Sequence, residues 1–508
     1  MSSPVTTPGP ARTITALDRL WPDTAGSAGR LTPLLAAAAG LTAGLLLVGS
    51  RPGIGVVATG LAVALAAATA AGSRPASMPI SAHEVAYGLL ALVLLSAAVL
   101  RDAPWFVTLA LLGATGLGSF ALAPGRSLVA GLLSSVSLPL AGLRALPWLR
   151  RGVAPRVAGL AGHGLRVARI VVLTGVLLLV FGSLFATADA VFARLLPSPD
   201  LGLFPVRLAA AVVVAGLAVG GAYLATAPPR WDLLAPGAAR PVRVAEWLVP
   251  IAVLDGLFAT FVGVQATVLF GGPGHVLETS GLTYAEYARA GFGQLFVVTL
   301  LTLSVVAGTV RWAPKETPRQ RLTLRVLLGL LCALTLVVVG SALFRLHLYE
   351  EAFGFTRLRL FMNAFETWLG VLVVLVLLAG IRLRAAWLAR AVVASAATGL
   401  VVLGAMNPDA YVAERNVERW RATGAIDLFY LQQLSADAVP AVDRLPEPLR
   451  SCALAGMPAA TSATSATSAT SAGEGGGPGG WNLARSRAAD LLAARPVAPV
   501  PDPATCTP

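Results

Sequence analysis

Long apolar stretches separated by short polar breaks run through the first 406 residues of the chain. A membrane-spanning helix needs about 20 apolar residues, because it rises about 1.5 Å per residue across about 30 Å of hydrocarbon. About eleven stretches meet this requirement: residues 31–49, 53–72, 83–100, 103–123, 168–187, 205–227, 245–271, 291–310, 323–344, 361–381 and 387–406. The pattern predicts an all-α, polytopic transmembrane helix bundle over residues 31–406, preceded by a cytoplasmic N-terminal segment over residues 1–30.

One further apolar stretch, residues 126–143, is ambiguous because it carries four serines and Pro139. It could lie in the membrane interface, re-enter the membrane or cross it as a twelfth span. Lysine and arginine favour the cytoplasmic side of a membrane. With eleven spans, the inner segments hold 22 of these residues and the outer loops eight; with twelve, the counts are 19 and 11. The charge bias therefore favours eleven spans, with the N-terminus inside and the tail after residue 406 outside.

Composition agrees with a membrane protein. Hydrophobic residues occupy 56% of the 508 positions and charged residues 12%, whereas soluble domains average about 25% charged residues. The net charge of +13 needs no nucleic acid to explain it, because most basic residues lie in the predicted inner segments, where anionic lipid headgroups attract them. The sequence predicts a multi-pass protein of the plasma membrane, with membrane lipids as partners and no nucleic acid.

The polar tail divides into three parts by composition. Residues 407–450 have a helical pattern in which Asp409 and Asp427 are placed to cap two helices. We expect a small extracytoplasmic module there, which could bind an envelope protein. Residues 451–480 include the repeat TSATSATSATSA and predict a low-complexity linker. Residues 481–508 predict a short helix and a loose C-terminal end.

Three cysteines occur, at positions 332, 452 and 506, and their spacing fits no metal-binding pattern. Cys332 lies in an apolar stretch and fits a small core residue. Cys452 and Cys506 both fall in the tail, where an oxidising compartment would allow them to pair. The sequence leaves the paired and the free state of these two thiols open.

Two carboxylates stand inside predicted spans, Asp255 and Glu366. An ionised acid in the middle of a membrane costs at least about 2.5 kcal/mol. Gln265 follows Asp255 by ten residues, nearly three turns, and Asn363 precedes Glu366 by three, so each pair shares one helix face. Two interpretations stay open: the four residues form a proton-linked path, or the acids are protonated or hydrogen-bonded and hold helices together.

Two predicted outer loops, residues 272–290 and 345–359, hold most of the other unusual polar residues. The candidate functional residues in these loops are Tyr284, Glu286, Tyr287, Arg289, Arg345, His347, Tyr349, Glu350, Arg357 and Arg359. A salt-bridged gate or a structural loop cluster explains them better than a metal site, because no HExxH, CxxC or DxD-like pattern occurs. We therefore expect neither a metal nor another cofactor.

Several strings in the chain are distinctive as a set. They are FGSLFATADAVF (181–192), FATFVGVQATVLFGG (258–272), GLTYAEYARAGFGQL (281–295), RLHLYEEAFGFTRLRLF (345–361), and NPDAYVAERNVERW with DLFYLQQLSADAVP (407–440). This set resembles a bacterial family of multi-pass membrane proteins described only as a domain of unknown function. The resemblance runs from about residue 85 to the start of the linker, with the string WNLARSRA beyond it. It implies a polytopic inner-membrane protein without an established activity.

Three functions are compatible with these features. The two acids in the membrane and the number of helices favour a transporter or permease-like bundle, although no inverted repeat or broken helix pair is evident. Arg345, Arg357 and Arg359 could hold a phosphate group, as an envelope enzyme acting on lipid-linked or acyl substrates at the outer face would require. The tail module could instead belong to a non-catalytic scaffold or sensor. Transport is the leading hypothesis, and the residues leave open whether the protein is an enzyme.

Overall fold

The protein is built from helices. The computed structural model describes residues 16–21, 26–74, 79–155, 203–234, 242–280, 292–383, 386–460, 477–498 and 506, with isolated residues between 169 and 185. Within these ranges the elements are α-helices and short 3-10 helices, which confirms the all-α prediction. The helices of the bundle are α1 (Ala16–Leu20), α2 (Leu31–Leu46), α3 (Ile54–Gly72), α4 (Ala82–Leu100), α5 (Pro104–Leu122), α6 (Leu128–Ser135), α7 (Ser137–Arg144), α8 (Phe204–Thr226), α9 (Val244–Ser280), α10 (Phe292–Trp312), α11 (Pro318–Phe353), α12 (Arg357–Arg382) and α13 (Leu388–Ala405).

Helix length and composition identify the membrane-spanning elements. Among the described residues, nine helices, α3 to α5 and α8 to α13, are long and apolar enough to cross a membrane. Helix α2 is apolar but has 16 residues. Of the twenty residues of the predicted span at 168–187, the structure describes seven scattered ones, all helical. The multi-pass bundle is therefore confirmed, and the count of eleven spans stays a prediction.

Helices α2 to α8 form a first group that packs through small residues. A Cβ atom added to Gly142 of α7 would lie 2.9 Å from the carbonyl oxygen of Gly216 of α8. One added to Gly220 of α8 would lie 2.8 Å from the backbone nitrogen of Gly142. Real side chains do not fit at such distances, so the close approach of α7 and α8 requires glycine.

Helices α9 to α12 form a second group around larger aliphatic and aromatic side chains. Ile251, Phe258, Leu331 and Val373 belong to its buried core. Helix α13 joins the two groups: its Ser395 accepts a hydrogen bond from Trp368 of α12 at 3.2 Å. On its other side, the backbone carbonyl of Arg390 in α13 accepts a hydrogen bond from the Tyr87 hydroxyl of α4 at 3.1 Å. The two groups thus form one bundle.

The ambiguous segment 126–143 forms the two short helices α6 and α7, each about 12 Å long and too short to cross a membrane. Asp232, which follows α8, accepts hydrogen bonds from the backbone N–H groups of Arg126 and Ser127, just before α6, at 2.9 and 3.2 Å. Arg144, which ends α7, binds Asp18 of α1 at 2.6 Å and the carbonyl of Trp21 at 2.8 Å. Trp21 in turn donates to the carbonyl just after α8 at 3.0 Å. Both ends of the segment therefore lie at the same end of the bundle, which favours re-entry over a twelfth span.

A C-terminal module, residues 408–460 and 477–498, follows the bundle. Its helices are α14 (Pro408–Thr423), α15 (Leu428–Gln432), α16 (Val439–Val442), α17 (Leu449–Ala455) and α18 (Leu483–Ala494). Asp427 caps α15 through the backbone N–H of Tyr430 at 2.9 Å, as predicted. Asn407 is the N-cap of α14 and Asp409 lies in its first turn, so the prediction that Asp409 caps this helix is wrong. The Asp409 carboxylate is instead bound by the bundle, as described below.

The folded module continues beyond residue 450, where the sequence predicts a linker. Cys452, Leu454 and Met457 are buried in one apolar cluster with Leu431, and the repeat that defines the linker, residues 461–472, lies outside the described residues. The structure joins Cys452 and Cys506 in a disulfide bond, one of the two states that the sequence leaves open. The C-terminal end is thereby tied to the core of the module.

Candidate functional site

Buried polar side chains recur along α11 inside the second group of helices. Cys332, Thr335, Ser341, Arg345 and Glu350 are all buried, and at about 100° per residue they are spread over roughly half of the helix circumference, with Ser341 opposite Cys332 and Glu350. Cys332 and Glu350 are 18 residues apart, or about 27 Å along a helix. Together with residues of the neighbouring helices they form what we call the polar column: Asp255, Gln265, Thr299, Cys332, Thr335, Ser341, Arg345, Glu350, Asn363 and Glu366.

At the inner end of the polar column, Asp255 of α9 lies beside Cys332 of α11. Asp255 is 4% exposed and is close enough to the Cys332 thiol to interact with it electrostatically. Neither carboxylate oxygen of Asp255 has a hydrogen-bond partner within the described ranges. A buried acid without such partners is costly in a membrane.

Farther along the column, one serine and one threonine hydroxyl each donate a hydrogen bond to a neighbouring helix, joining α11 to α9 and α10 to α12. The Ser341 hydroxyl of α11 donates to the side-chain oxygen of Gln265 of α9 at 3.4 Å. The Thr299 hydroxyl of α10 donates to Oε1 of Glu366 of α12 at 3.5 Å. Glu366 is fully buried, and its Oε2 has no hydrogen-bond partner among the described residues. The predicted residues of the two acid-bearing spans therefore meet around α11.

At the outer end, Glu350 of α11 is buried and lies within hydrogen-bonding reach of Asn363 of α12. Nearby, the Arg359 guanidinium lies over the Tyr349 ring, 4.3 Å from its centroid, which is a cation–π contact. Asn363, predicted to share a face with Glu366, thus links the acid inside the membrane to the acid at its outer edge. Glu366 lies about one turn from Asn363, so two of the three carboxyl groups of the column, Glu350 and Glu366, are near this end.

The prediction of an outer loop over residues 345–359 is wrong for most of that range. Helix α11 continues to Phe353, and three residues separate it from α12. Its 36 residues give a length of about 54 Å, well beyond the hydrocarbon thickness. Polar side chains near its end, such as His347, which pairs with the exposed Glu351 at 3.2 Å, therefore belong to a helix that leaves the membrane and not to a loop.

The other predicted outer loop, 272–290, is described only in part. Residues up to Ser280 extend helix α9. The candidate residues Tyr284, Glu286, Tyr287 and Arg289 lie outside the described residues, so their place relative to the polar column stays a prediction. Within the described part of the chain, no group of three or more potential metal ligands occurs.

The outer arginines take part in internal contacts. Arg357, the first residue of α12, binds the Asp409 carboxylate with Nε at 2.9 Å and with a second guanidinium nitrogen. Besides its contact with Tyr349, Arg359 donates to the backbone carbonyl of Phe353 at 3.2 Å. These contacts occupy the two guanidinium groups that the sequence suggested for phosphate binding, and Arg345 lies in the buried column.

A buried ion pair holds the C-terminal module on one end of the bundle, the end that the charge pattern predicts to be the outer one. Asp409 is 0% exposed and accepts hydrogen bonds from Arg357, from Trp105 of α5 at 3.1 Å and from the Ser435 N–H at 2.9 Å. Burial alone would raise the pKa of Asp409. The Arg357 guanidinium and the Ser435 hydrogen bonds outweigh burial and hold the pKa of this carboxyl below its ordinary value.

A second acid of the module, Asp437, caps the start of α5. It accepts hydrogen bonds from the backbone N–H groups of Asp102 at 2.6 Å and of Ala103 at 3.1 Å, where the helix dipole favours negative charge. Burial nevertheless raises the pKa of Asp437 above its ordinary value. The Asp102 carboxylate accepts from the Ala436 N–H at 3.3 Å and pairs with Arg485. The contact between module and bundle is therefore reciprocal.

The module also caps helices that end at the outer face. Arg419 donates to the carbonyls of Glu351 at 3.0 Å and of Ala352 at 2.7 Å, in the last turn of α11. Asn482 donates to the carbonyl of Ala98 at 2.9 Å, near the end of α4. The last carbonyls of a helix have no partner within the helix, and a cation also complements the helix dipole. We call the contacts of Asp409, Asp437, Arg419 and Asn482 with the bundle the outer junction.

Sequence-based prediction missed part of the polar column and the whole outer junction. Thr299 was not predicted as a site residue, because a threonine in an apolar stretch bears no charge that distinguishes it. A signal was present in α10, where the buried Thr299, Thr302 and Thr309 recur at intervals of three and seven residues, as one helix face requires. The contacts of the junction acids with the bundle were not predicted, because in sequence these acids look like solvent-exposed residues at helix ends.

These helices and the column define an integral membrane protein of the all-α, multi-pass class. The chain belongs to the family Domain of unknown function (DUF4153), whose model matches residues 89–445. This confirms the resemblance carried by the motif strings. No curated protein and no solved structure matches the chain. The matched range contains the whole polar column and most of the outer junction.

Proposed function

We propose that the protein is a transporter whose polar column couples the passage of a small solute or ion to proton movement. The observation that carries this proposal is the burial of three acids, Asp255, Glu366 and Glu350, inside the second group of helices. Ionisable residues inside a membrane are rare, and they mark ion pathways and proton relays in pumps and transporters.

The groups between the acids support a relay. Proton movement between carboxyl groups needs side chains that both donate and accept hydrogen bonds, and hydroxyl groups do so. Thr299 contacts Glu366, and Ser341 lies between the levels of Cys332 and Glu350 on α11. The polar column therefore provides groups that can donate and accept protons at several levels along about 27 Å of α11.

A purely structural role for the acids is less well supported. Polar groups that hold membrane helices together do so through hydrogen bonds across helices. Both oxygens of Asp255 and one of Glu366 make no such bond within the described part of the chain. An asparagine or glutamine would provide interhelical bonds without the cost of a carboxyl group.

The alternative of an outer-face enzyme requires arginines whose guanidinium groups are available to bind a phosphate. Arg357 is held bidentately by Asp409, and Arg359 lies on Tyr349 and caps backbone carbonyls. A phosphate bound by either residue would have to displace these contacts. Transport therefore fits the described geometry better.

The location and the partners of the tail are part of the same proposal. We place the protein in the plasma membrane with the module outside the cell, because disulfide bonds such as Cys452–Cys506 persist in oxidising compartments. As its docking point for an envelope protein we propose the surface of residues 407–450 around Phe429, which is 74% exposed. In pull-down experiments, a partner that binds the wild type at this surface should be lost with Phe429→Ala.

Replacing Glu366 with glutamine is expected to lower proton flux by about tenfold or more, because an amide cannot take up and release a proton. The purified full chain would be reconstituted in liposomes, and the decay of an imposed pH gradient would be followed with an internal pH dye under a potassium–valinomycin clamp. Asp255→Asn is expected to act in the same direction.

Glu418→Gln provides the matched control, since Glu418 is an exposed acid of the module, paired at the surface with Arg415. Its flux should equal that of the wild type. Wild-type flux no greater than that of protein-free liposomes, or full flux in both Glu366→Gln and Asp255→Asn, would overturn the proposed function.

A further inference from the structure

A cavity of about 700 Å³ lies between α10, α11, α12 and the start of α13, apart from the outer junction. Its described walls are aliphatic side chains and glycines, with Lys315, Arg325 and Cys332 as exceptions. Ligand pockets measure about 300–1,000 Å³ and are mostly apolar with a few polar groups. Size and composition therefore fit a bound amphiphile.

The polar groups of this cavity are asymmetric. Lys315 lies in the connection between α10 and α11, and Arg325 lies in the second turn of α11, so both mark the same end of the cavity. Both side chains are exposed, and neither forms an ion pair with a described acid. Arg319 and Arg321 add positive charge to this end, against the single acid Glu316 in the connection.

The cavity extends from this basic end into the apolar bundle. On α11 its lining runs from Arg325 to Cys332, and on α12 from Ile381 back to Leu372. These intervals of seven and nine residues correspond to about 10 and 13 Å. One leaflet of the hydrocarbon is about 15 Å deep, so the cavity has the depth of a single leaflet and a cationic rim at the headgroup level.

We propose that this cavity binds one anionic phospholipid of the leaflet on the basic side, with its phosphate between Lys315 and Arg325 and its acyl chains against α10, α11 and α12. A soluble anion would leave the apolar walls without a partner. A lipid with a neutral headgroup would leave the two cations uncompensated. The site stands independently of proton transport, although Cys332 at its end also belongs to the polar column.

Binding can be measured by native mass spectrometry of the purified full chain in detergent micelles. Phosphatidylglycerol and phosphatidylcholine with the same acyl chains would be added at equal concentration. The wild type is expected to retain one phosphatidylglycerol with a preference of about fivefold or more, because each basic residue near a membrane surface adds attraction for an anionic headgroup. The double variant Lys315→Gln with Arg325→Gln should lose this preference, whereas Arg415→Gln, which changes an exposed arginine of the C-terminal module away from the cavity, should keep it.

A second pair of variants tests the apolar part of the cavity. A Cβ atom at Gly380, which lines the cavity, would meet no atom within 4 Å, so the side chain of Gly380→Leu can start into the cavity without a backbone clash and occupy part of it. Gly399 of α13 is equally open but does not line the cavity, and Gly399→Leu is the matched control. Gly380→Leu should lose lipid retention by about fivefold or more, and Gly399→Leu should retain it.

Three results would overturn the lipid site. Equal retention of both lipids by the wild type would contradict a role for the basic rim. Wild-type retention in both Gly380→Leu and the double charge variant would place the lipid elsewhere. Displacement of phosphatidylglycerol by glycerol phosphate alone at similar concentration would show a headgroup site that does not use the acyl chains.

Discussion

Replacing Asp409 with alanine is expected to release the C-terminal module from the bundle. The substitution removes the acceptor of Arg357, of Trp105 and of the Ser435 N–H in one step. Loss of one partner of a buried ion pair costs about 3–5 kcal/mol, and we expect the lower end because the Arg357 side chain is 28% exposed. Hydrogen–deuterium exchange over residues 408–455 would measure the opening of the module directly.

Glu418→Ala is the control for Asp409→Ala, since both acids lie on α14. Glu418 and its partner Arg415 are 60% and 48% exposed, and such surface pairs contribute about 0–1 kcal/mol. Exchange in Glu418→Ala should match the wild type. Unchanged protection of residues 408–455 in Asp409→Ala would show that the apolar contacts of the module suffice without the ion pair.

The two junction acids also predict an acid response of the wild type. Burial raises the pKa of Asp437, so falling pH protonates Asp437 first and removes the cost of a buried charge. Asp409 has a lowered pKa, so its contribution is complete above the ordinary aspartate value of about 3.9 and is lost as pH falls through its own lower pKa. We expect the module to stay docked down to about pH 4 and to open below it.

Asp409→Asn serves as the reference for this acid response, because the amide does not titrate. Module opening would be followed by exchange labelling at several pH values between neutral and strongly acidic. Wild type and Asp409→Asn should differ at neutral pH and converge in acid. A constant difference at every pH would contradict the assignment of the response to Asp409.

Replacing Arg450 with methionine is expected to destabilise the module by about 3–5 kcal/mol, the cost of breaking a buried charge pair. Arg450 is 1% exposed and donates to Asp443 at 2.7 Å, to Glu447 at 3.2 Å, and to the carbonyls of Arg495 and Pro496 at 2.6 and 3.3 Å. Methionine preserves much of the volume but none of these bonds. The segment after α18 should lose its attachment, and exchange over residues 483–498 should accelerate.

Arg444→Met is the matched substitution for Arg450. Arg444 pairs with Glu414 at 2.7 Å, and the two side chains are 52% and 46% exposed, so its loss should cost about 1 kcal/mol or less. Arg450→Lys adds a test of geometry, because an ammonium group cannot reproduce the planar fork of the guanidinium. We expect Lys to restore only part of the stability. Full wild-type stability in Arg450→Met would show that the disulfide and the apolar core hold the segment by themselves.

The membrane part of the fold follows from apolar length, which is why it could be predicted. Hydrocarbon thickness imposes a minimum length on each span, and the bounds of α4, predicted as 83–100 and observed as Ala82–Leu100, agree closely. The same rule failed at residues 345–353. It locates the edge of the hydrocarbon, but a helix does not have to end where the hydrocarbon ends.

The candidate site was predictable only in part, because a single helix pattern contains no information about its neighbours. Charge identified Asp255 and Glu366, and helical spacing added Gln265 and Asn363. The partners Thr299 and Ser341 become evident only when four helices are packed together. At the outer junction the difficulty was greater, since an aspartate two residues after an N-cap looks the same in sequence whether it meets water or a buried arginine.

The outer junction also determines when the bundle can be completed during biosynthesis. Asp437 lies 335 positions after the backbone N–H of Asp102 to which it binds, and Asn482 lies 384 positions after Ala98. The ends of α4 and α5 at the outer junction therefore lack these caps until Asp437 and Asn482 have been synthesised. Contacts of such long range form late. A nascent chain that ends before these residues leaves the caps of both helices unmade.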